Sequence, residues 1–418
     1  MKHHTSLRTA DYRLWLLATT SDSLAGSLRL IALPLIVFSI TASTVLAGAL
    51  TSVSQLIFVA LVLVGGVVVD RHDRRVCMLW RAFTGAALWG LVSILQAFGV
   101  LTFTVLLACV VVGSATQALF GEADDAALRS VVDADDYPSA QSVNQGREAT
   151  IALLGGPLGG FLYTVSPWAP FAVSSAALIV LASSASNIRT DLSPHNSAAP
   201  RAPSNSGFLR SIASDVAAGF TTIWSDQPKR AIALAALVLN FGFTLAIVAV
   251  QLHLIGQGKN PVLISALASV LAGTTLVGAF MGSYASHRVT TGHLAIGSLA
   301  VMIAAVTGMA VVHTYPMLIC WYALLGIATP VVNASMIGYF FASIPIELQG
   351  RTGSTLGVMT MGLAAGAPIV SGMAVRAGHV TLILWAASGI LVSAFAVLAG
   401  NEHVRAIGSP EQWATNAR

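Results

Sequence analysis

Charge is scarce in this chain. Only 9% of its 418 residues are Asp, Glu, Lys or Arg, against roughly a quarter in soluble domains. With 56% hydrophobic residues and a mean hydropathy of +0.79, no polar coat can be assembled, so lipid must solvate most of the surface. Cysteine is also rare: Cys77, Cys109 and Cys320 lie far apart in apolar runs. An odd, scattered set excludes a disulfide framework and offers no metal-ligand spacing, leaving them as packing residues. No G-x-x-x-x-G-K-[ST] occurs, and no polar segment is long enough to house a nucleotide domain, which excludes ATP as the energy source. Neither G-x-S-x-G nor H-E-x-x-H is present, so an intramembrane enzyme has no catalytic pair to work with. The pI of about 9.1 does not indicate nucleic acid, because the net charge is only +4 and the basic residues follow a different logic, given below. The polar, basic stretch Met1–Arg13 reads as a tail and not as a cleavable signal, since the apolar run after it is too long and lacks a small-residue cleavage site.

What the chain has in abundance is apolar runs of membrane-spanning length, about 20 residues each. Twelve are expected, at 14–40, 45–69, 76–98, 100–121, 147–166, 168–186, 231–255, 261–285, 292–313, 316–342, 352–375 and 380–400. Between the sixth and seventh the composition changes, and Ser193–Gly207 is rich in Ser, Pro and Asn, which reads as a linker. The resulting organisation is a tail (1–13), a six-helix bundle (14–186), a linker (187–230), a second six-helix bundle (231–400) and a second tail (401–418).

Basic residues in short loops mark the cytoplasmic side. Of the 21 Lys and Arg, Lys259 and Arg376 fall on one side, Arg29 and Arg81 lie within spans, and the remaining 17 share the other side with both termini. That asymmetry requires an even number of spans and places both termini in the cytoplasm. The two halves also echo each other. Pro157 and Pro368, each in a Gly-rich stretch, are 211 residues apart, as are Asp136 and Glu347 in the loops before them, which points to duplication.

The loop after the second span reads Gly66-Val67-Val68-Val69-Asp70-Arg71-His72-Asp73-Arg74-Arg75. Gly66 suits a close approach of two helices, Asp70 can cap a helix or pair with Arg, and the arginines offer donors to acidic partners. This run meets every fixed position of G-x-x-x-D-R-x-x-R-R and resembles the loop signature of the major facilitator superfamily. The second-half counterpart, Gly282 to Arg288, has Ser286 where the Asp would stand. In the fifth span, Gly156, Pro157, Gly159 and Gly160 resemble part of the exporter motif of that superfamily, with Ala152 departing from its fuller form. Pro157 removes a helix hydrogen bond among glycines, so the span could bend there. Stretches such as Ala32–Val37, Leu128–Val132 and Ile344–Arg351 resemble a bacterial branch that includes macrolide-efflux and enterobactin-export proteins. The resemblance implies an all-α membrane fold of twelve helices in two related bundles with a cavity between them. It also implies a cytoplasmic gate built on Gly66, Asp70, Arg71, Arg74 and Arg75, in which Asp70 and Arg74 link the two halves, Asp70 near the start of the eleventh span (Gly350–Ser354) and Glu122 or Asp125 close to Arg74.

Ionisable residues at membrane depth are costly and mark function. Asp22 is the one acid expected inside a span, and Arg29, seven residues on, lies on nearly the same face about 10 Å further along. They are read as a proton site and its tuning partner, or else as a structural lock. Arg81 is expected to snorkel from the cytoplasmic end of the third span. In the second half Asn240, Gln251, Trp321, Tyr322 and Asn333 are the polar candidates for a substrate cavity. Together these readings describe a monomeric, multi-pass protein of a bacterial inner membrane. It would move a small amphipathic molecule outward by alternating access, driven by protons and without a cofactor; an uptake permease is the alternative.

Overall fold

The computed structural model describes residues 6–193, 208–286, 288–312, 314–405 and 407–408. Its helices are α1 (Ala10–Thr41), α2 (Thr44–Arg71), α3 (Arg74–Ala97), α4 (Phe103–Phe120), α5 (Ala123–Val131), α6 (Tyr137–Val165), α7 (Ala169–Asn187), α8 (Phe208–Trp224), α9 (Gln227–Gly256), α10 (Pro261–Ser286), α11 (Thr291–Val311), α12 (Tyr315–Ala342), α13 (Ile346–Ala364), α14 (Ala367–Arg376), α15 (Val380–Gly400) and the single turn α16 (Glu402–Arg405). The fold is all-α. Among the described residues, eleven helical segments are long and apolar enough to cross a membrane. The 29-residue α6 is the twelfth long helix, made less apolar by its glycines and its polar first half. Most of the linker Ser193–Gly207 and the end of the second tail lie outside the described residues.

Helix ends follow their sequences. Ser43 Oγ accepts from the Leu46 amide at the start of α2, and Thr102 Oγ1 from the Val105 amide at the start of α4, supplying acceptors for otherwise orphaned N–H groups. At the head of α3 the cap is Asp73, whose Oδ1 takes the Arg75 amide at 2.8 Å. Asp70 is not the cap, because α2 runs on through Arg71 and keeps Asp70 exposed in its last turn. Three departures from the hydropathy reading stand out. The expected fifth span, α6, begins at Tyr137, ten residues before the expected 147. The eleventh is broken at Ala365–Gly366 into α13 and α14, with Pro368 in the first turn of α14, where a missing N–H costs nothing; its counterpart Pro157 lies inside an uninterrupted α6. The expected polar stretches after the fourth and sixth spans contain the helices α5 and α8.

The chain divides into two compact units: residues 1–200 with 255–269, and residues 201–254 with 270–418. In the first, α1 packs on α7, α6 and α2, α3 on α7 and α4, and α2 on α4. In the second, α11 packs on α12 and α15, and α8 lies on α13. A shared device recurs in both. A methyl added at Gly65 would sit 1.9 Å from the Ala118 carbonyl oxygen of α4, and one at Gly278 would sit 2.2 Å from the Ile327 carbonyl oxygen of α12. The second and fourth helices of each unit thus touch backbone to backbone, a contact suited to a lipid environment where small residues drive association. Gly66, expected to make this contact, meets open space, because one residue turns the helix by about 100°. Replacing Gly65 by valine is expected to destabilise the protein by more than about 2 kcal/mol, whereas Gly66→Val should be tolerated. Thermal inactivation of the two variants in detergent checks this, and equal midpoints would refute the assignment.

Candidate functional site

Sheltered acids of the first unit gather around one residue, Arg81 on α3. Its side chain is buried, and its two terminal nitrogens reach two acids: Nη1 lies 3.3 Å from Asp22 Oδ2 of α1, and Nη2 lies 2.5 Å from Asp124 Oδ2 of α5. Nη1 also donates to the Gly121 carbonyl at 3.5 Å. The acids are themselves sheltered, with side chains 17% and 14% exposed. Arg81 therefore does not snorkel. Pairing with carboxylates from two different helices, one at each terminal nitrogen, holds it inward.

Asp124 reaches the site because α5 is amphipathic. Ala123, Ala127, Leu128 and Val131 are buried, which fixes the helix rotation, turns Asp124 inward and leaves Glu122 and Asp125 exposed. Trp15 Nε1 on α1 donates to the Asp124 carbonyl at 2.8 Å, tying the start of α5 to α1. Asp22 is thus not the single acid of the interior, and its direct partner is Arg81. Arg29 stands apart from this ion pairing: its guanidinium lies 4.9 Å from the Trp89 ring centroid, a cation–π geometry. Trp89 in turn stacks on Phe171 of α7 at 6.1 Å. Arg29 still interacts electrostatically with Asp22 and Arg81, and its Nη1 is buried without a hydrogen-bond partner.

The loop-motif residues take other partners. Arg74 Nη1 donates to Ser130 Oγ at 2.9 Å, and among the described residues it makes no ion pair with Glu122 or Asp125, both of which face away. Arg75 Nη2 donates to the carbonyls of Ile188 at 2.6 Å and Thr190 at 2.9 Å. Asp11 accepts from Thr190 Oγ1 at 2.5 Å, so α1 and α3 together hold the segment that follows α7. Asp70 and Arg71 are exposed at the end of α2. Two of the four motif residues of α6 sit at close contacts: an added methyl at Gly159 would meet the Leu28 backbone of α1, and one at Gly160 would meet Ser265 and Pro261 at the start of α10. An added methyl at Gly156 would only reach ordinary contact with Ser265, and Pro157 lies inside the helix without interrupting it.

In the second unit, Asn240 of α9 and Asn333 of α12 line a cavity of about 170 Å³. The remaining candidates do not line it. Tyr322 is buried and donates to the Ile247 carbonyl at 3.4 Å, Trp321 packs against Gly308 of α11, and Gln251 lies elsewhere along α9.

One unit thus holds a sheltered charge cluster and the other an uncharged cavity. The sequence model of the Major Facilitator Superfamily matches residues 15–354. The chain belongs to that superfamily. It is a secondary transporter of the superfamily type, and its solved structural neighbours share its fold. A bacterial homologue of the human lysosomal transporter Spinster, crystallised inward-facing and unoccupied, is 13% identical with a TM-score of 0.71 over 98% of this chain and 99% of that one. The nucleoside transporter NupG is 14% identical with a TM-score of 0.69 over 94% and 98% of the two chains. A bacterial homologue of the iron transporter ferroportin, also inward-facing, is 14% identical with a TM-score of 0.68 over 94% and 98%. Among curated proteins, none matches this chain significantly.

Sequence reasoning had named Asp22 and Arg29 but missed Arg81, Asp124, Trp89 and Trp15. A usable signal existed for Arg81, since it too lies inside an apolar run, but near the end of that run, where snorkelling is the competing reading. For Asp124 the signal was weaker: an apolar stripe at Ala123, Ala127 and Val131 in a segment that reads as an acidic loop.

Proposed function

We propose that this superfamily member exports small amphipathic molecules, such as a drug, antibiotic or siderophore, in exchange for protons by alternating access. It would do so as a monomer in a bacterial inner membrane, with both termini cytoplasmic. The observation that carries the proposal is the Asp22–Arg81–Asp124 cluster. Burying charges is expensive, and a pair or triad of this kind is weak evidence for stability. Its retention at membrane depth is better explained by use. Two carboxylates compete for one guanidinium, so adding a proton to either shifts Arg81 toward the other, and a proton is thereby converted into a change of contact between α1, α3 and α5. Asp22, with the longer contact, is the one we assign as proton carrier. Arg29, held by Trp89 beside this pair, biases it electrostatically. The outward direction is supported by the resemblance of the Gly156–Gly160 run and of the first half to exporters, which is an analogy of sequence. The basic loops support the orientation.

The test is transport by purified protein in proteoliposomes under an imposed pH gradient, with an amphipathic dye as substrate and an internal pH probe. Exchange predicts that dye and protons move in opposite directions and that dye movement stops when the gradient is collapsed. Movement of both in the same direction would establish an uptake permease instead, and dye movement indifferent to the gradient would refute proton coupling.

A further inference from the structure

The cavity in the second unit differs in chemistry from everything around Arg81. It is lined by α9, α12 and α13, and no Asp, Glu, Lys, Arg or His is among its lining residues. Its walls are mainly apolar, including Val332 and Phe341, with the amides of Asn240 and Asn333 among them. The Asn240 amide nitrogen gives one N–H to the Ala236 carbonyl of its own helix at 2.9 Å, which leaves its Oδ1 to accept from a ligand and its second N–H to donate. Asn333 makes no hydrogen bond among the described residues and is exposed, leaving both a donor and an acceptor. Size is set by glycine. At Gly353 an added methyl would press on the Phe341 ring at 3.0 Å, whereas at Gly357 it would meet nothing within 4 Å. The absence of a side chain at Gly357 therefore keeps space open without any backbone contact requiring it.

A cavity of about 150 Å³ accommodates one benzene molecule, so about 170 Å³ takes one substituted ring. It is smaller than the roughly 300 Å³ or more of sites that enclose a whole drug-sized ligand. We infer that this cavity is a subsite for one uncharged ring of the transported molecule, bearing a hydrogen-bond donor for Asn240 and an amide-like group for Asn333, and that Gly357 sets the size of ring admitted. The inference rests on the reading of the protein as a transporter of small amphipathic molecules, and it assigns recognition to the second unit and coupling to the first. An ion placed here would find no counter-charge in the lining, and leaving water unpaired costs a charge more than it costs a hydrogen-bonded amide.

Three molecules of nearly one shape separate these terms: benzamide, benzoate and benzamidinium. Binding of each to the full-length protein in lipid nanodiscs, measured by saturation-transfer NMR against empty nanodiscs, should show benzamide bound and both ions about tenfold weaker or more. Gly357→Leu, which fills the space, should abolish benzamide binding. Gly357→Ala, which adds one methyl in open space and keeps the fold, should weaken it partially. Asn333→Asp should invert the preference toward benzamidinium. Equal binding of the three molecules, a benzamide signal no larger than in empty nanodiscs, or unchanged binding in a folded Gly357→Leu protein would each overturn the subsite. Intact benzamide binding alongside failed gradient-driven transport would instead overturn the transport reading while leaving the subsite in place.

Discussion

Replacing Arg81 by glutamine is expected to be the most destabilising single change in the protein. The substitution leaves Asp22 and Asp124 facing each other's charge at membrane depth without the guanidinium that now lies 3.3 Å and 2.5 Å from them. Removing one partner from a buried ion pair costs about 3–5 kcal/mol, because the abandoned charge stays desolvated. Arg29 does not substitute, since its guanidinium is committed to the Trp89 face. Size-exclusion profiles and thermal inactivation in detergent should show a large loss of folded protein for Arg81→Gln. Combining it with Asp124→Asn should recover much of the loss, because the double variant removes both halves of the tighter pair and contacting residues are not additive. A single variant as stable as wild type would refute the central role given to Arg81.

Asp22→Asn is expected to act on transport and hardly on folding. Arg81 would lose only its longer contact and would keep Asp124 and the Gly121 carbonyl, so no charge is stranded. Asparagine holds the place of a protonated carboxyl and cannot release a proton. Gradient-driven dye movement should therefore fall at least about a hundredfold, as loss of an obligatory proton-transfer group does, while expression and ligand binding persist. Asp124→Asn should show the opposite emphasis, with a clear stability loss, because its contact is the shorter one and α5 is anchored around it. A variant at position 22 that transports normally with unchanged dependence on the gradient would show that proton coupling lies elsewhere. One that fails to assemble would show that Asp22 is a lock.

The sequence made the helices legible because the requirement is one-dimensional. A lipid core demands about 20 consecutive apolar residues whatever they pack against, and the described spans begin and end within a few residues of the hydropathy estimate in most cases. Where the estimate slipped, the polar half of a helix was involved. The first half of α6 carries Asn144, Arg147 and Glu148, and α5 carries Asp124 and Asp125, so both read as loop by hydropathy although each has a buried side. Asn144, for example, is 3% exposed. The motif reading identified the right loop and the right superfamily, since spacing along the chain is what a motif records. It did not determine which residue of the motif does what. Gly65 makes the helix contact in place of Gly66, Asp73 caps α3 in place of Asp70, and Arg74 pairs with Ser130 in place of an acid.

The sequence by itself determined that this chain is a multi-pass membrane protein, where its long apolar helices lie, and which charges fall inside them. Those conclusions rest on the cost of polar groups in lipid, which each residue carries regardless of its neighbours. Only the tertiary structure decided who pairs with whom. Asp22, Arg81 and Asp124 come from three helices, and their meeting depends on the rotation of each about its axis. That rotation is set by which small and apolar residues pack against α1, α3 and α7. A single residue step turns a helix through about 100°, enough to exchange a buried carboxylate for an exposed one, and hydropathy along the chain does not record it.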